Sequence, residues 1–184
     1  MKNYVALLRG INVSGQKKMP MAILRQQLEE LGFQNVETYI QSGNVVFRSS
    51  ENSISQLAAI IHNMILQEYD FDVPVLVLTA TKIKETIENN PFLPEKEGNA
   101  KDLYVTFLEG VPEPSHLEKL NIVNSGRDQF MVKENVIYLH CPDGYGRTRL
   151  NNNFIENKLK LKATTRNWKT TLKLLEMVNT SGTT

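Results

Sequence analysis

Two hydrophobic rhythms alternate along the chain, and their order predicts its elements. Tyr4 to Leu8 is an apolar run of strand length. Met21, Leu24, Leu28 and Leu31 then recur at three- and four-residue spacing, the stripe of a helix that starts near Pro20 and stops at Gly32. Proline in the first turn and glycine just past the end suit the two termini of a helix. Val36 to Ile40 and Val45 to Phe47 read as strands, and Gln41-Ser42-Gly43-Asn44 between them has the composition of a tight turn, which makes the pair a hairpin. Ile54, Leu57, Ala58, Ile61, Met64 and Ile65 mark a second helix, capped by Asn52 or Ser53, ahead of a strand from Val73 to Leu78. The order is βαββαβ, the ferredoxin-like split unit, in which both crossover helices cover one face of an antiparallel sheet.

The remainder continues the alternation as a partial repeat. A helix from Thr81 to Asn89 precedes Pro91, and Glu95 to Lys101, with Gly98, reads as a linker. A strand from Leu103 to Leu108, a short helix around Leu117 to Leu120, and a hairpin of Gln129 to Val132 with Val136 to His140 follow. Phe154, Ile155 and Leu159 suggest one closing helix; Trp168, Leu172 and Leu175 form the apolar stripe of the last, which is expected to pack back on one of the sheets. The fold class is therefore α+β: two ferredoxin-like-related subdomains with C-terminal helices, one over residues 1–79 and one over 80–179, with a frayed tail at 180–184.

Composition narrows the setting. The chain has 184 residues, is 41% hydrophobic and 22% charged, and is long enough to bury a real core. One cysteine, Cys141, excludes an intramolecular disulfide and a cysteine-built zinc site. The first apolar run is cut off by Arg9, and no stretch approaches the ~18 residues a membrane span needs, so the reading is of a cytoplasmic protein without a membrane partner. The net charge of +1 conceals a sorting along the chain. Residues 1–50 carry six Lys/Arg against three Asp/Glu, residues 51–143 seven against fifteen, and residues 144–173 eight against Glu156 alone. Such sorting is weak evidence for an anionic partner, because a solvated basic face produces the same count and an acidic middle could neutralise the basic end internally.

Candidate chemistry gathers in two clusters. In a split βαββαβ sheet the first two strands run parallel, so the end of the first strand and the following hairpin turn meet at one edge. That brings Arg9, Asn12, Lys17 and Lys18 beside Gln41, Ser42 and Asn44, next to the N-terminus of the first helix, the composition of an anion pocket. The same residues could instead hold the edge together through bonds to the hairpin backbone. Gly10 to Gly15 approaches a nucleotide-binding P-loop, but Gln16 displaces the lysine, no Ser/Thr follows it, and the hairpin contradicts a parallel sheet. The second cluster is Gly144-Tyr145-Gly146-Arg147-Thr148-Arg149 with Thr164-Thr165-Arg166-Asn167-Trp168. Here Thr164 or Thr165 is the expected N-cap of the last helix, and Arg166 in its first turn would oppose the helix dipole unless a bound anion or an acidic neighbour relieved it.

Other chemistry finds few residues to rest on. His62, His116 and His140 are dispersed; His140 and Cys141 are successive strand residues whose side chains diverge, and a buried, inert Cys141 is expected. There is no metal-ligand spacing, no nucleophile elbow, and no reason to assign a cofactor.

Three segments carry a family resemblance: Ala6-Leu7-Leu8-Arg9-Gly10-Ile11-Asn12-Val13, Tyr39-Ile40-Gln41-Ser42-Gly43-Asn44-Val45-Val46-Phe47, and Ala163-Thr164-Thr165-Arg166-Asn167-Trp168 with Thr170. In this order they closely resemble the bacterial family called domain of unknown function 1697. The resemblance implies two α+β subdomains and no established activity. Ser14 stands where that family usually has glycine, and Thr148-Arg149-Leu150 where Ser-Lys-Leu is common. The functional expectation is a module binding a small phosphate- or carboxylate-bearing ligand through Arg9, Asn12, Lys17, Gln41, Ser42 and Asn44, with Arg166 and Asn167 joining if the last helix docks at that edge. Two alternatives stand beside it: an enzyme acting on a phosphorylated metabolite, and a nucleic-acid surface over 144–173 with Tyr145 and Trp168 stacking on bases. The sequence does not specify an oligomeric state.

Overall fold

The computed structural model describes residues 1–93, 100–121 and 126–181. Most of the expected linker, residues 95–99, and the end of the tail from 182 lie outside them. The elements run β1 (Lys2–Leu8), α1 (Met21–Glu30), β2 (Gln34–Tyr39), β3 (Asn44–Ser49), α2 (Ile54–Tyr69), β4 (Val75–Thr79), α3 (Ala80–Glu88), β5 (Leu103–Leu108), α4 (Pro114–Asn121), β6 (Gln129–Lys133), β7 (Val136–His140), α5 (Asn152–Leu159), β8 (Ala163–Asn167) and α6 (Trp168–Thr180). The chain divides into two compact units, Met1–Glu85 with Lys173–Thr184, and Thr86–Leu172. The later part of α6 thus groups with the first unit, where Asn3 Nδ2 donates to the Val178 carbonyl at 2.8 Å and Asn35 Nδ2 to that of Ser181 at 3.2 Å. Thr180, placed by the sequence in the tail, is the last residue of α6.

The first unit is a four-stranded antiparallel sheet in the order β2-β3-β1-β4. Register sets the core: Tyr4 lies opposite Phe47 and Ala6 opposite Val45, so their side chains share a face. Against that face α1 buries Leu24 and Leu28, and α2 buries Leu57, Ile61 and Ile65. Phe33 and Phe47 stack there at 4.6 Å between ring centroids. Val5, Leu7 and Val46, on the opposite face, are buried as well, which is why β1 reads as a continuous apolar run rather than an alternation. Ser53, one of the two expected caps, accepts the Gln56 amide at the start of α2.

The second unit completes what the sequence shows only in part. Its β5-α4-β6-β7-α5-β8 order repeats the first, with a sheet of order β6-β7-β5-β8. The unexpected element is β8. Residues 163–167, read as the approach to a helix, pair antiparallel with β5 from Tyr104↔Asn167 to Leu108↔Ala163. The strand escapes a periodicity reading because its residues are alanine, two threonines, arginine and asparagine, with no apolar alternation. Thr106 and Thr165, directly opposite each other, join hydroxyl to hydroxyl at 2.7 Å.

α6 also differs from its expected stripe. Leu172 is 43% exposed, while Trp168, Thr171, Leu174 and Val178 are buried. A threonine can hold the buried face because the Thr171 hydroxyl donates to the Asn167 carbonyl at 3.1 Å. No helix among the described residues is long and apolar enough to cross a membrane.

Candidate functional site

At the edge of the first unit the end of β1 and the β2–β3 turn come together. The Leu8 amide donates to the Gly43 carbonyl at 2.8 Å. Gly43 is left-handed, with φ of 76°, and a Cβ there would meet Leu8 Cβ at 2.7 Å and the Leu8 carbonyl oxygen at 3.0 Å. Only glycine permits this approach.

Asn12 joins the loop after β1 to the same turn. Its Nδ2 donates to the carbonyls of Met19, at 2.9 Å, and Gln41, at 3.0 Å, while Oδ1 accepts the Met19 amide at 2.7 Å. The side chain is spent on backbone, with Ile11 and Met19 buried on either side of it. Asn44 is likewise internal: fully buried, it donates to the Tyr39 carbonyl and to the Ser42 hydroxyl, closing the turn. Lys17 Nζ reaches the Asp72 carbonyl. Arg9 is half-buried, and its amide donates to the Pro74 carbonyl at 3.1 Å.

The backbone of this edge is held away from its easiest conformations. Asn12, Ser14, Lys17 and Ile40 all have φ between 44° and 54°. Asparagine tolerates this region, but it costs ~1–2 kcal/mol for other side chains, so the Asn12 bonds and the Gly43 contact hold the strain in place. Ser14, at φ of 51°, occupies a conformation that glycine adopts without steric cost. The resemblance to a P-loop ends here. The loop folds back on itself, Gln16 N to Val13 O at 2.9 Å and Asn12 N to Lys17 O at 3.2 Å, beside an antiparallel sheet.

The open space is one step further along this edge. A groove of about 540 Å³ runs between the start of α1 and β2, lined by Pro20, Met21, Arg25, Thr38, Ile40 and Gln41. α1 begins without a side-chain cap and without an acidic residue in its first turn. Its leading N–H groups, which no earlier helical carbonyl can accept, therefore face this space with the positive end of the helix dipole. The side chains of Arg25 and Gln41 make no hydrogen bond or ion pair among the described residues. Arg25 was missed by sequence reasoning. Its signal was its position, four residues after Met21, in the second turn of the helix whose N-terminus faces the hairpin.

The second cluster assembles differently from expectation. Arg166 lies in strand β8, opposite Val105, rather than in the first turn of a helix. The α6 cap is Asn167, whose Oδ1 accepts the Thr170 amide at 2.7 Å, rather than Thr164 or Thr165. Burial lowers the Arg166 guanidinium to about 10, and its Nη1 donates to the Thr165 carbonyl. Thr165 is the hub of a polar network: its hydroxyl meets Thr106, accepts from Tyr145 at 3.0 Å and donates to Asn152 at 2.7 Å. Tyr145 also packs its ring 5.1 Å from that of Tyr104.

Cys141 is buried after the end of β7, and desolvation, reinforced by Asp128, pushes its thiol up to about 11, the environment of a structural rather than a reactive cysteine. His62 is tied by Nδ1 to the Val73 carbonyl. Among the described residues no group of three His, Cys, Asp or Glu could hold a metal ion.

The family described as a protein of unknown function, DUF1697, matches residues 1–138, which include the opening and hairpin motifs but not 163–168. In structure the chain is similar to a conserved bacterial protein from Streptococcus pneumoniae, with a TM-score of 0.76 and 26% identity over 96% of this chain and 98% of that one. No curated protein matches it.

Proposed function

The chain belongs to the DUF1697 family, proteins of unknown function, and from that starting point we propose that it binds a small phosphate- or carboxylate-bearing ligand at the loop and hairpin edge of its first unit. One observation carries the reading: the uncapped start of α1 opens on a groove flanked by Arg25 and Gln41, two polar side chains with no other partner among the described residues. Helix amides, a guanidinium and a carboxamide are complementary to phosphate or carboxylate oxygens. Of the residues the sequence brings forward, Gln41 supplies a donor and Arg9, Lys17 and Ser42 surround the same edge. Asn12 and Asn44 act as supports, because their polar atoms already hold the turn. Arg166 and Asn167 belong to the second unit.

Calorimetry with inorganic phosphate, phosphosugars, nucleotides and dicarboxylates tests the reading. Arg25 is exposed, so Arg25→Ala should fold normally and weaken binding about five- to tenfold, the magnitude of one partly screened charge-assisted bond. Equal binding by both proteins rejects the site.

Neither alternative has an observation of its own. Stacking on nucleic acid by Trp168 and Tyr145 is disfavoured because Trp168 is 3% exposed and the hydroxyl and ring of Tyr145 are already engaged. The enzymatic alternative uses Arg9 and Arg166 as electrostatic stabilisers, and those two residues belong to different units.

A further inference from the structure

The second unit contains a groove of its own, of about 450 Å³, where the end of β8 turns into α6 beside the start of β5. Tyr104, Trp168 and Leu172 are among its lining residues, together with the exposed Lys101 and Lys169, and no acidic residue lines it; Leu172 supplies open hydrocarbon, whereas Trp168 is 3% exposed. Tyr104 and Asn167 are directly opposite in the β5–β8 ladder, so paired backbone positions the floor. Three independent features point to an occupant. Leu172 is 43% exposed on a helix that buries Trp168, Leu174, Met177 and Val178, so the groove presents uncovered hydrocarbon. Lys101 and Lys169 are exposed and make no ion pair or hydrogen bond among the described residues. Lys169 also lies in the first turn of α6, which contains no acidic residue, so its ammonium opposes the helix dipole where an anion would be favoured.

We propose that this groove binds a small ligand joining an apolar body to a carboxylate or phosphate, the body lying against Tyr104 and Leu172 and the anion between Lys101 and Lys169. Apolar walls with a few convergent charges are the usual design of a small-molecule site. This site is separate from the α1 groove and does not depend on it.

Trp168 is the protein's single tryptophan and one of the groove's lining residues, so its indole N–H gives one resolved amide-spectrum signal that reports on the groove. Titration with 2-naphthoate and with 2-naphthyl phosphate should move that signal, and the neutral 2-naphthamide should bind about tenfold more weakly. The double variant Lys101→Ala, Lys169→Ala changes two exposed side chains and should lower naphthoate affinity about tenfold, toward that of the amide. The proposal is overturned if the indole signal does not move up to millimolar naphthoate, if the amide binds as well as the acid, or if the double variant binds like the parent.

Discussion

Replacing Asn12 by aspartate tests whether this residue is a clasp rather than a ligand group. The change preserves shape and the tolerance of φ near 54°. It also preserves the acceptor that receives the Met19 amide. What it removes is the Nδ2 donor, which serves the carbonyls of Met19 and Gln41, and a carboxylate oxygen then faces both. Each lost bond is worth ~0.5–1.5 kcal/mol net, and repulsion between the carboxylate and two carbonyls adds to that. Because Asn12 is half-buried and partly hydrated, the expected loss is ~2–3 kcal/mol rather than the upper extreme. For a chain of this length that corresponds to a melting shift of ~4–12 °C. Urea unfolding measures the loss, and hydrogen exchange places it: the Leu8, Asn12 and Met19 amides should exchange faster while the second unit stays protected. A variant within ~0.5 kcal/mol of the parent would refute the clasp, since surface substitutions away from such contacts fall in that range.

Other outcomes follow from the same geometry. Thr165→Val keeps the shape but removes a hydrogen-bond partner of Thr106, Tyr145 and Asn152, and should cost ~2–4 kcal/mol in urea unfolding; a neutral result would mean the network is dispensable. Tyr138, whose hydroxyl donates to the Thr86 carbonyl, is pushed up to about 12 by burial, with Glu134 adding to it. An unfolded tyrosine ionises near ~10, so between those values the folded chain holds the extra proton and stability falls as pH rises. Tyr138→Phe should therefore lower stability by ~1 kcal/mol at pH ~7 and flatten the decline above pH ~10; an unchanged alkaline slope in urea midpoints would contradict this.

Much of the architecture was legible because it rests on patterns that packing amplifies. Helical stripes such as Leu24 and Leu28, or Leu57 and Ile61, coincide with the buried faces. The turn at Gln41 to Asn44 was marked by glycine and asparagine, whose backbone preferences are local. β8 and the α6 stripe were not legible, for one reason: both use threonines where a periodicity reading looks for hydrocarbon. Thr165 is acceptable in a sheet because Thr106 lies opposite, and Thr171 on a buried helix face because it bonds its own backbone. The partner that makes each tolerable is distant in sequence, or invisible in a count of apolar residues.

The charge sorting shows the same boundary. Within the second unit part of the acidic middle lies beside part of the basic end, since β5 pairs with β8 and the Glu109 carboxylate accepts the Lys162 backbone amide at 3.0 Å. Composition could pose that question but not answer it.

The sequence by itself determined the element order of the first unit, the hairpin, the meeting of the β1 loop with the β2–β3 turn, and the family. Tertiary structure alone decided which polar side chains are spent and which are open. Asn12 and Asn44 satisfy backbone groups that burial would otherwise leave unpaired, whereas Arg25, Lys101 and Lys169 face open grooves without a partner among the described residues. A hydrogen bond is a matter of distance and direction between groups far apart in the chain, so residue type and spacing could nominate the candidates but not assign their partners.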